Sequence, residues 1–139
     1  MSRILAIDYG AKRCGLAVTD PLRLSINPQP VCAQAELLQR VRELADGGEL
    51  GTVVLTRSTH RDGTANTVQG AITGFAERLQ KALPEVAIAY QDEFGSSKEA
   101  RTLLRERGVG KKRRAQKGAL DSVAAGIILE RYLLDAGIW

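Results

Sequence analysis

The sequence predicts an α/β fold, a mixed five-stranded sheet flanked by helices, in one domain spanning residues 1–139. Three observations predict it. Short β-branched and aliphatic runs come first as a group and then alternate with segments of helical period, in the order β-β-β-α-β-α-β-α-α. The first two runs are joined by so short a connection that they form an antiparallel hairpin, whereas the later ones are separated by helices. With 139 residues, 44% of them hydrophobic and 26% charged, the chain can bury one real core without a disulfide or a structural metal.

The elements follow in order. Arg3 to Asp8 is a short apolar run that ends in an acid. Tyr9-Gly10-Ala11-Lys12-Arg13 supplies turn chemistry, and Cys14 to Asp20 resumes an extended pattern. Gly10 and Gly15 fit the needs of that hairpin. Residues 21–30 carry Pro21, Asn27, Pro28 and Pro30, which exclude a helix and read as a loop leading into a third short strand around Val31. From Gln34 to Leu44 the positions of Leu37, Leu38, Val41 and Leu44 predict a helix that Gly47-Gly48 ends. Thr52 to Leu55 reads as a buried strand. Thr64 to Leu83 places Val68, Ile72, Phe75, Ala76 and Leu79 on one helical face and stops near Pro84. Val86 to Tyr90 is the next strand, with Asp92-Glu93 directly after it. Ser97 can cap a helix running to Arg107, and a last helix runs from Gln116 to about Leu134. No internal repeat and no dividing linker interrupts the chain.

Several function classes drop out. No apolar run approaches the roughly 18 residues a membrane span needs. The N-terminal apolar run meets Asp8 before it could form a signal-peptide core, so a cytoplasmic location is expected. Cys14 and Cys32 have neither CxxC nor zinc spacing and read as packing residues, and the single histidine, His60, has no partners for a zinc site. No GxxxxGK[ST] loop is present.

The net charge of +4 conceals a partition. Residues 98–117 hold nine basic and two acidic side chains, +7, and the remainder holds 11 basic and 14 acidic, −3. A basic arm on an acidic body suits a polyanion, nucleic acid first, although a solvated loop would show the same charge run. Lys111, Lys112, Arg113, Arg114 and Lys117, together with Lys12 and Arg13 of the first turn, are the expected phosphate contacts. If all five of the arm engage, the logarithmic salt slope of binding is roughly −3 to −5.

Three acidic positions stand out. Asp8 and Asp92-Glu93 fall at strand ends, where open α/β sheets place their ligands. Asp121 shares a helix face with Ala125, Ile128 and Tyr132, an apolar stripe that should pack on the sheet, although a helix-start acid would also fit there. Carboxylates without His or Cys partners make a hard oxygen site suited to Mg²⁺ or Mn²⁺.

Ile7-Asp8-Tyr9-Gly10, Arg13-Cys14-Gly15-Leu16-Ala17, Thr19-Asp20, Asp62-Gly63-Thr64, Asp92-Glu93 and Asp121-Ser122-Val123-Ala124-Ala125, with Ile128-Leu129 and Tyr132-Leu133, follow one another over nearly the whole chain. In that order and spacing they resemble the YqgF family, described both as Holliday-junction resolvases and as nucleases that process the 5′ end of pre-16S ribosomal RNA. The resemblance implies a ribonuclease H-like fold with an acid on the first strand, an acid after the fourth strand and an acid on the last helix binding divalent metal. Carried over, these are Asp8, Glu93 and Asp121, with Asp92 as a second candidate because adjacent strand residues point to opposite faces. Two departures stand out. Leu55-Thr56-Arg57-Ser58-Thr59-His60-Arg61 replaces the family's Gly-x-Pro turn, and Phe94 stands where an Arg usually follows the Asp-Glu pair. Arg57 and Arg61 could add phosphate contacts, and Phe94 could stack on a base.

The resulting expectation is a metal-dependent nuclease, monomer or homodimer, acting on precursor ribosomal RNA ahead of branched DNA. A non-catalytic RNA-binding factor for ribosome assembly would instead bind without Asp8, and a nucleotide-binding protein would release heat on titration with ATP.

Overall fold

In chain order the elements are β1 (Arg3–Asp8), β2 (Arg13–Thr19), β3 (Ile26–Ala33), a 3₁₀ turn (Gln34–Glu36), α1 (Leu37–Ala45), β4 (Leu50–Arg57), α2 (Thr64–Ala82), β5 (Ala87–Asp92) and α3 (Ala119–Asp135). This is a computed structural model that describes residues 2–10, 12–57, 64–92 and 119–139, with side chains in α2 from Gln69 and in α3 from Val123. The helix expected from Ser97 to Arg107, His60 and the basic arm lie outside the described residues.

The five strands form one sheet in the order β3-β2-β1-β4-β5. β2 is antiparallel to both β1 and β3, while β4 is parallel to β1 and β5 to β4. β1 is therefore central, which explains why Ile4, Leu5, Ala6 and Ile7 are all buried: helices cover both faces. On one face Leu5, Ile7, Val53 and Leu55 pack with Leu37 and Val41 of α1 and with Ile72, Phe75 and Leu79 of α2. On the other, Ile4, Ala6, Ala17 and Val54 pack with Ala125, Ile128, Leu129 and Leu133 of α3. The small side chains on that second face allow α3 to approach the sheet closely.

The expected loop over residues 21–30 is corrected in part. β3 begins at Ile26 and carries both Pro28 and Pro30. Proline is tolerated there because β3 is an edge strand, where a missing N–H costs no ladder bond. Pro30 also falls where the register slips, between the Leu16–Gln29 and Cys14–Cys32 pairs. Cys14 and Cys32 are buried and form no disulfide, as expected of packing residues, and burial pushes the Cys32 thiol up. Gly47 and Gly48, with φ of 92° and 76°, turn the chain out of α1 as their position predicts. Among the described residues no helix is long and apolar enough to cross a membrane.

Candidate functional site

Asp8 is the last residue of β1 and lies opposite Gly15 of β2. Side chains alternate along a strand, so Asp8 shares the face of Ile4 and Ala6, the face on which α3 packs. The turn that follows is held on both sides. The Tyr9 ring is buried against Phe75, with centroids 5.8 Å apart. A Cβ at Gly10 would collide with the Arg13 carbonyl, so this close turn requires glycine. Gln34 ties the turn to the far end of β3: its side-chain amide donates to the Gly10 carbonyl at 3.2 Å and its backbone N–H to the Lys12 carbonyl at 3.1 Å. The backbone carrying Asp8 is thus pinned from α2 and from β3. Beside it, Lys12 is exposed and Arg13, the first residue of β2, is half-buried.

β1, β4 and β5 run parallel, so their carboxyl ends meet at one edge of the sheet. Two residues beyond the Ala6–Val54 pair, Asp8 is level with Thr56, and Thr56 pairs in turn with Gln91. All three belong to the α3 face by alternation. Thr56 is fully buried, and its Oγ1 has no hydrogen-bond partner among the described residues. Gln91 donates from Nε2 to Oδ2 of Asp135 at 2.9 Å, which ties β5 to the last turn of α3.

The same alternation separates the acidic pair. Ala89 packs on the α3 face, so Gln91 follows it there, whereas Asp92 and its register partner Arg57 fall on the opposite face. Asp92 therefore does not share a face with Asp8. Glu93 lies outside the described residues, and the acid expected after the fourth strand follows β5, one strand further across the sheet. β4 itself ends in Thr56-Arg57.

Asp121 lies in the first turn of the described part of α3, one turn before Ala125. The stripe it belongs to packs as expected: Ala125 and Ile128 are fully buried against the sheet and Tyr132 partly so. Lys111, Lys112, Arg113, Arg114 and Lys117 lie outside the described residues. Among the described residues no three His, Cys, Asp or Glu side chains cluster. The donors at this edge, the Asp8 carboxylate and the Thr56 hydroxyl, are oxygens, the ligand type that Mg²⁺ and Mn²⁺ take. The sequence reading ended this strand at Leu55 and put Thr56 in the segment that replaces the family's turn, whereas β4 runs on to Arg57.

A central β1 ending in an acid, two antiparallel strands on one side, two parallel strands on the other and a last helix across the acid's face define the ribonuclease H-like class of fold. The chain can be superposed on Thermus thermophilus RuvC in complex with a Holliday junction substrate with a TM-score of 0.60, at 14% identity, over 98% of this chain and 97% of that one. The family model RuvX, described as Holliday junction resolvase, matches residues 2–135, and the chain belongs to that family. Among its relatives is a protein of Chlorobium phaeobacteroides named "Putative pre-16S rRNA nuclease", 38% identical over 99% of this chain and 95% of the relative. A Salinibacter ruber protein of the same name is 37% identical over 98% of this chain and 95% of the relative.

Proposed function

We propose that residues 1–139 form one divalent-metal-dependent nuclease domain that hydrolyses phosphodiester bonds in the 5′ region of precursor 16S ribosomal RNA, in the cytoplasm. The observation that carries this reading is Asp8, half-buried at the carboxyl end of the central strand on the α3 face, in a chain whose full-length relatives carry that name. Asp8, Glu93 and Asp121 are the residues that would hold Mg²⁺ or Mn²⁺. When bound, such ions activate water for attack on phosphorus and neutralise charge on the leaving oxygen.

The chain's own residues supply the rest. The pinned turn after β1 holds the Asp8 carboxylate at the sheet edge. The period of two that carries Ala89 and Gln91 to the α3 face favours Glu93 over Asp92, because an extended chain would return to that face at residue 93. The small residues under α3 let the helix bearing Asp121 lie close to the strand bearing Asp8. Lys12 and Arg13 stand next to the first acid, suitably placed for the phosphate backbone, and Lys111, Lys112, Arg113, Arg114 and Lys117 make the larger sequence-independent contact.

The test is cleavage of a pre-16S 5′-leader RNA and of a four-way DNA junction in Mg²⁺ or Mn²⁺, by wild type, Asp8→Asn and Asp121→Asn. Wild type should cleave the RNA, and each variant should lose on the order of 100-fold or more while keeping its circular dichroism spectrum. Cleavage of the junction but not the RNA would reassign the substrate to branched DNA. Equal cleavage by wild type and variants, or RNA binding without cleavage by any of them, would remove the catalytic reading.

A further inference from the structure

We propose that Thr56 is a positioning residue of the metal site, its hydroxyl pairing with a water of the bound ion's hydration shell. This rests on the metal-dependent reading above. Thr56 is fully buried, yet its Oγ1 finds no hydrogen-bond partner among the described residues. A buried hydroxyl without a partner is destabilising, and valine would fill the same space without that cost. The strand already uses valine at the two positions Val53 and Val54. The hydroxyl therefore needs a partner that the described protein atoms do not supply.

The position of Thr56 says what that partner is. Counting on from the Ala6–Val54 pair, Thr56 is level with Asp8 on the neighbouring strand, about 5 Å away, and on the same face. On its other side Gln91 directs its amide to Asp135. A cation held by Asp8 would stand within reach of the Thr56 hydroxyl through one of its waters. Mg²⁺ and similar ions keep several of their waters when bound by a few carboxylates, and those waters need acceptors and donors around them. A hydroxyl is both. Thr56 also stands near the end of β4, at the same carboxyl edge of the sheet as Asp8.

The test uses the full chain, Thr56→Val, which keeps the shape and removes the hydroxyl, Thr56→Ser, which keeps the hydroxyl, and Asp8→Asn as the reference. Mn²⁺ binding is measured by titration calorimetry, and the metal-free melting temperature is measured in parallel. Thr56→Val should bind Mn²⁺ about 10-fold more weakly, the scale of losing an outer-shell partner. Its metal-free form should melt at or above the wild-type temperature, and Thr56→Ser should bind as wild type does. Wild-type affinity in Thr56→Val, with weakened binding in Asp8→Asn, overturns the role of Thr56 and leaves the metal site standing. Unchanged binding in Asp8→Asn as well overturns both. A lower metal-free melting temperature in Thr56→Val shows that the hydroxyl has a partner inside the protein and overturns the proposal, as does equal weakening by Ser and Val.

Discussion

The two faces of the sheet are built from different materials. Toward α1 and α2 it presents Leu5, Ile7, Leu16, Val18, Val53 and Leu55, bulky side chains that interlock with Phe75 and Leu79. Toward α3 it presents Ala6, Ala17 and Ala89 among fewer large residues, and at its carboxyl edge that face changes to Asp8, Thr56 and Gln91. The first face buries the larger side chains and so contributes more of the hydrophobic stabilisation. The second gives up area for a close helix and polar groups, which is what a site held between a strand and a helix needs. Under the proposed function, stability and chemistry fall on opposite sides of the same strands, and successive residues of β1 face each in turn.

That division can be broken at several points. The largest effect belongs to the chemical face: Asp8→Asn should abolish nuclease activity with little change in melting temperature, and comparable losses of both would merge the two roles. Next is Leu79→Ala on the bulky face. Leu79 is fully buried, and its truncation should cost about 2–5 kcal/mol by denaturant titration while cleavage per folded molecule stays at the wild-type level. A smaller change comes from Ala17→Leu, which adds volume under α3. It should cost about 1–3 kcal/mol and lower activity by more than the unfolded fraction accounts for, because the helix carrying Asp121 is pushed outward.

The smallest effect lies away from both faces, in the turn between β2 and β3. The Asp20 carboxylate accepts the backbone N–H groups of Ser25 at 2.8 Å and Leu24 at 2.7 Å. These bonds, Ser25 first, hold its carboxyl below the usual carboxylate range. A carboxylate whose folded pKa is depressed adds stability above its unfolded pKa and loses it as pH falls through the folded value. Asp20→Asn should therefore melt slightly below wild type at neutral pH, and the gap should close in acid. A gap that persists in acid would mean the turn depends on shape rather than charge.

Much of this was legible in the sequence, for physical reasons that can be named. The apolar run from Arg3 ends in Asp8 because a central strand is buried until it reaches the edge, and that transition shows in residue type alone. The stripe of Ala125, Ile128 and Tyr132 gave away the packed face of the last helix by its period. The third strand is found where Val31 placed it, but its start at Ile26 was missed because Pro28 and Pro30 count against a strand unless its place at the sheet edge is known, and strand order is a tertiary property. That Asp92 falls on the face opposite Asp8 needed the face of Ala89, which composition does not carry. Thr56 stood out no more: it was read in the segment that replaces a turn, and only full burial without a hydrogen-bond partner among the described residues marks it.

The proposed nuclease requires Asp8, Glu93 and Asp121 to converge on one divalent-metal site. A crystal structure of the Mn²⁺-soaked protein, with anomalous scattering to locate the ion, tests it most directly. A peak in coordination contact with carboxylate oxygens of all three residues is expected, with a water between the ion and Thr56 Oγ1. An ion bound elsewhere, or one held by Asp92 with Asp8 and Asp121 uninvolved, would contradict it.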